Sequence, residues 1–95
     1  MKALPKSIKI GPIEYTVKEI DRVANEGMWG QIVYAESAIE LNPGMGEQHR
    51  TITLWHEILH GMLLQGGIRE HDERILDVLA HGIVNVLQQN PGLTK

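Results

Sequence analysis

Residues 53–62 read Thr-Leu-Trp-His-Glu-Ile-Leu-His-Gly-Met, an apolar run carrying His56, Glu57 and His60 with nothing to interrupt a helix between the two histidines. On a helix, side chains four apart share a face, so His56 and His60 can offer two ring nitrogens to one ion while Glu57 stands one step round. This constrains the fold sharply. The helix must be fixed against a core, and further ligands must arrive from another part of the chain. By average residue usage, the four-position pattern arises in roughly one chain of this length in several hundred. The blander reading, histidines that only meet polar neighbours at a core edge, competes with it. The expected chemistry is hydrolytic: two neutral imidazoles hold zinc, and Glu57 takes a proton from the water that zinc activates.

At 95 residues the chain is expected to form one domain, close to the lower size at which a core is buried unaided. With two Trp, two Tyr and no Phe, that core is built mainly from Ile, Leu and Val. A metal that fastens two helices together would therefore add to stability as well as to chemistry. The formal charge of −3, without a Lys/Arg cluster, argues against nucleic acid as a partner. The absence of cysteine removes disulfides and thiolate sites and fits a reducing compartment. No stretch reads as a signal peptide or a membrane span, so the expectation is a soluble, cytoplasmic protein.

Along the chain, residues 1–6 read as a loose lead-in. Ile8, Ile10, Ile13, Tyr15 and Val17 alternate around Gly11-Pro12, which predicts two short strands in a hairpin. Residues 21–27 read as a loop or a single helical turn. Residues 29–34 and 38–42 predict a second hairpin, with Ile39 and Leu41 inward and Glu40 in solvent. Asn42-Pro43-Gly44-Met45-Gly46 closes the strand region, residues 7–42. Residues 47–65 carry helical periodicity and stop at Gly66-Gly67; a second helix follows over 72–89, with Asp72 as its N-cap and Ile75, Leu76, Leu79, Ile83, Val86 and Leu87 as a wide apolar face. The expected class is α+β: a small antiparallel sheet of about four strands, then two packed helices.

A catalytic zinc site ordinarily takes three protein ligands and water. After the motif the candidates are Glu70, His71, Asp72, Glu73, Asp77 and His81. The metzincin extension is excluded, since Gly66 and Leu63 occupy its histidine and glycine positions. Equal rise along two strictly antiparallel helices would bring Asp77, rather than Glu73, nearer the level of His60. Glu70 and Asp72 read as solvated charges, His81 as a core-edge histidine and His49 as surface. Tyr34 is a possible oxyanion donor, with packing the preferred reading.

Glu73 and Asp77, four apart on the second helix, resemble the glutamate helix of the gluzincin peptidases. The resemblance implies Glu73 as third zinc ligand and Asp77 as the carboxylate that orients the His56 ring. Together with the Trp29-Gly30-Gln31-Ile32 strand and Leu79-Ala80-His81-Gly82, the chain is similar in outline over residues 7–90 to the small phage and mobile-element members of the ImmA/IrrE-like family, the minigluzincin type. That resemblance implies a zinc metalloendopeptidase acting on an intracellular protein, with Glu57 as general base and an extended substrate along the sheet edge, read here as the 38–42 strand. The chain departs from larger members in having no downstream subdomain to wall a cleft. A catalytically weak or latent zinc-stabilised regulatory or binding module with a peptidase fold is the alternative.

Overall fold

The computed structural model describes residues 4–94. Three of the six lead-in residues, 1–3, lie outside the described residues; the rest are not loose. Leu4 packs against the core, and the Lys6 carbonyl accepts a hydrogen bond from the Val17 amide at 2.9 Å.

The strands are β1 (Ser7–Ile10), β2 (Ile13–Glu19), β3 (Gly30–Val33) and β4 (Ala38–Leu41). A single helical turn, α1 (Asp21–Asn25), links β2 to β3, and a 3-10 turn over Tyr34–Glu36 links β3 to β4. Two long helices follow, α2 (Glu47–Gln65) and α3 (Glu73–Gln89). The α+β arrangement of a four-stranded sheet followed by two packed helices is as expected, and both hairpins form.

The sheet is mixed, however, and not antiparallel throughout. Its order is β1-β2-β4-β3, with β4 parallel to β2. The α1 turn carries the chain across the width of one strand, so β3 is laid down at the edge and β4 returns into the gap. The apolar composition of β4 agrees with this central place: all four of its residues are buried. The sheet edges are therefore β1 and β3, and the 38–42 strand is not an edge.

Ile39 and Leu41 face the helices as predicted and join Ile10, Tyr15, Val17, Met45 and Leu54 in the core. Glu40 faces away from them yet is buried, 2 % exposed, which corrects its placement in solvent. A central strand has neighbours on both sides, and Lys18 and Gln31 flank Glu40 in register. The Arg22 guanidinium closes over it, with Nη2 at 2.8 and 2.9 Å from the two carboxylate oxygens, and the Gln31 amide donates at 2.7 Å. Burial would raise the Glu40 pKa, but these hydrogen bonds outweigh it and hold the carboxyl below its ordinary value.

Asn42 ends the strand region by pairing at three points. Its amide bonds to the Trp29 carbonyl, its side-chain NH2 to the Met28 carbonyl, and its Oδ1 accepts from the Gly44 amide. Helix α2 then packs on the sheet and fits tightly at Gly61, where an added Cβ would stand 2.8 Å from Ile10 Cδ1 and 3.2 Å from Ile32 Cδ1. A small residue directly after His60 thus lets the motif helix sit down on β1 and β3.

Helix α3 packs against α2 along a narrower seam than its sequence suggests. Leu76, Ala80 and Val84 are buried, whereas Ile75, Val78, Leu79 and Val86 are exposed. Nothing among the described residues covers that side of α3. Among the described residues no helix is long and apolar enough to cross a membrane.

Candidate metal centre

The geometry of the centre depends on how α2 ends. Gly67 takes φ +88°, and the chain closes with Ile68 N–H to the Leu63 carbonyl at 2.9 Å and Gly67 N–H to the Leu64 carbonyl at 3.0 Å. This is a Schellman motif, with glycine at the left-handed position that residues with a Cβ disfavour. It folds the chain back along α2, and residues 68–72 descend by about five residues' worth of helix, roughly 7–8 Å, before α3 begins. Asp72 caps α3, its Oδ1 accepting from the Arg74 and Ile75 amides at 3.0 and 3.2 Å.

The descent decides which carboxylate reaches the histidines. Glu73, the first residue of α3, stands level with His60, and Asp77, one turn on, stands level with His56. Glu73 Oε1 lies 2.9 Å from His56 Nε2, and Glu73 Oε2 lies 3.0 Å from His60 Nε2. Asp77 Oδ1 lies 2.9 Å from His56 Nδ1, on the other side of the ring. The level argument that favoured Asp77 fails because it takes the connection as a plain U-turn. His71 is not at the point of convergence either: its Nδ1 meets His60 Nδ1 at 2.7 Å, behind the ring. His81 Nδ1 donates to its own helix's Asp77 carbonyl, 2.8 Å away, and the residue is exposed rather than at a core edge.

His56, His60 and Glu73 could hold a metal ion, their donor atoms all lying within 4.8 Å of one another. Ligands held at 2.0–2.2 Å from a tetrahedral ion would be about 3.3 Å apart, close to the spacing seen. The protons argue the same way. Asp77 can only accept, so a neutral His56 carries its proton on Nδ1 and turns a lone pair toward Glu73. The Ile68 carbonyl can only accept, so a neutral His71 donates from Nε2 at 2.7 Å and accepts at Nδ1. His60 then donates from Nδ1 and also turns a lone pair toward Glu73. Two lone pairs and a carboxylate face one point with no proton between them, an arrangement that a cation makes favourable.

Burial lowers the His60 pKa against the opposing pull of Glu73, which favours its neutral form. Burial alone would raise Glu73; when the facing nitrogens of His56 and His60 carry protons instead, their hydrogen bonds and charges outweigh burial and lower it. Glu57 differs. It is 6 % exposed, and burial pushes its pKa up to about 7, with His56 opposing and Glu73 adding to the rise.

Two open grooves meet at this point, sharing Gly30, Glu57 and Glu73. One, of about 540 Å³, is lined by β3 and by Tyr34, His60, Arg69 and His71. The other, of about 430 Å³, is lined by Trp29, His49, Thr53, His56, Asp77 and His81. Tyr34 is thus a groove residue, 38 % exposed, and not a packing residue. His49 is on the surface as read, its ring tilted 60° to that of Trp29 with centroids 4.6 Å apart.

The chain matches no protein-family model, no curated protein and no solved structure. Its function is therefore argued from this geometry.

Proposed function

We propose that the chain is a zinc-dependent metalloendopeptidase that hydrolyses peptide bonds of a protein substrate in the cytoplasm. The observation that carries the proposal is the convergence of His56 Nε2, His60 Nε2 and the Glu73 carboxylate beside the buried Glu57. The resemblance of the motif helix and of the Glu73–Asp77 pair to gluzincin peptidases of the ImmA/IrrE-like type supports the same reading.

Zinc bound there would supply a Lewis acid that acidifies water and polarises a carbonyl. Glu57, with a pKa pushed up to about 7, is matched to accept a proton from the attacking water and to return it to the leaving amine. Asp77 holds the His56 ring in one tautomer and orientation. Tyr34, which lines the same groove as Glu57, would donate its hydroxyl to the substrate carbonyl as negative charge builds on its oxygen. The open β3 edge, whose Gly30, Gln31 and Ile32 line the groove, offers backbone groups to an extended peptide.

The test is zinc content and peptidase activity of the wild type and Glu57→Gln. The expected result is stoichiometric zinc in both and activity lower by roughly 100-fold or more in the variant. Full activity in Glu57→Gln would sink the mechanism.

One observation favours a second reading, a zinc-stabilised regulatory or binding module. The Glu73 and Asp77 side chains are 67 % and 66 % exposed, so one flank of the centre is open to solvent with no wall to clamp a substrate. On that reading chelation abolishes partner binding while Glu57→Gln leaves it intact.

A further inference from the structure

We infer that His71 is a positioning residue for the metal centre: it accepts the His60 Nδ1 proton, and so fixes the tautomer in which His60 Nε2 is free to bind a metal. The inference rests on the proposed metal site but concerns a different atom from any ligand.

Three observations support it. The rings of His60 and His71 stand 4.9 Å apart by centroid at a 32° tilt, with the Nδ1 atoms at 2.7 Å, a hydrogen-bond distance. The far nitrogen of His71 lies 2.7 Å from the Ile68 carbonyl. A carbonyl has no proton to give, so for a neutral His71 it decides the direction of the chain: His71 donates at Nε2, hence accepts at Nδ1, hence receives from His60. That carbonyl is itself held by the turn ending α2, where the Ile68 amide is tied to the Leu63 carbonyl. The backbone of the helix end thus dictates, through two imidazoles, which nitrogen of His60 faces Glu73.

The two candidate metal histidines are consequently oriented by different chemistry. His56 has a carboxylate, Asp77, on its far nitrogen, while His60 has a neutral imidazole. A carboxylate acceptor raises ligand basicity more than a neutral ring does. A second carboxylate here would also add negative charge beside Glu57 and Glu73. Using His71 fixes the geometry of His60 without that charge.

The experiment compares wild type with His71→Ala and His71→Asn, the latter because its side-chain oxygen can accept a hydrogen bond. Zinc affinity is measured by competition with a chromophoric chelator, and the spectrum of the cobalt-substituted protein reports ligand geometry. His71→Ala is expected to bind zinc roughly 10- to 100-fold more weakly, with a shifted cobalt spectrum, and His71→Asn to recover most of the loss. Zinc affinity within twofold of wild type in a folded His71→Ala would overturn the inference. A ring-nitrogen NMR measurement on the metal-free wild type tests it separately from metal binding. It is expected to show the His71 proton on Nε2, with Nδ1 accepting; a proton on Nδ1 instead would overturn the inference even if zinc binds. If wild type takes up no zinc, the metal reading fails while this measurement still decides the hydrogen bond.

Discussion

Among the described residues Glu73 is the one carboxylate found within 3.0 Å of both imidazole Nε2 atoms, and the Asp77 carboxylate meets the back of His56. Glu73→Ala is therefore expected to lose stoichiometric zinc, and Asp77→Ala to retain it with roughly 10- to 100-fold weaker affinity; metal analysis after dialysis separates the two. Glu40 makes a different prediction. Its folded pKa lies below the unfolded value of about 4.3, so the stability it contributes is complete above that pH and is lost as pH falls through the folded pKa. Acid unfolding of Glu40→Gln should accordingly show a shallower loss of stability below about pH 4.3 than wild type, read by circular dichroism. At this scale the sequence carried His56 and His60, because i,i+4 spacing on a helix is a rule of geometry, whereas Glu73 came from the resemblance and helix levels alone favoured Asp77. It did not carry the fate of Glu40, because strand alternation tells inside from outside only for a strand with nothing packed on its far face. Nor did it carry the role of His71, which depends on a carbonyl and a turn rather than on any spacing of histidines.

The elements themselves were largely legible. Residues 47–65 form α2 to the residue, and Asp72 caps α3, because periodicity, capping and glycine stops are local signals. The strand order was not, since alternation marks a strand without saying which neighbour it pairs with; the parallel β2–β4 pair required knowing that α1 carries the chain across the sheet. The path from α2 to α3 was hidden in the same way. Gly66-Gly67 signalled a stop, but not that the chain descends before α3 starts. The two glycines should behave differently on substitution. Gly66→Ala is expected to be close to neutral, as Gly66 has an ordinary φ of −78°. Gly67→Ala should cost about 1–2 kcal/mol for its left-handed conformation, and thermal unfolding of the metal-free variants checks both.

For the molecule as a whole, the proposed centre ties α2 to α3 at one end of their seam. With the exposed side of α3 adding little burial, an ion bridging His56, His60 and Glu73 would be a substantial part of what joins the two helices. Thermal stability is expected to rise with free zinc, by about 2.7 kcal/mol at a hundredfold excess over Kd, and to fall back on chelation. Glu73→Ala should show no such dependence; an equal zinc response in that variant would place the ion elsewhere. The crowding of acceptors at the centre has a further consequence. In the language of folding landscapes the form with both histidines neutral is a patch of local frustration, three acceptors that only a proton or a cation between them reconciles. Folding alone would be better served by apolar side chains at those positions. A fold with both histidines neutral would thus hold part of its stability in reserve, which a proton or a bound ion would release.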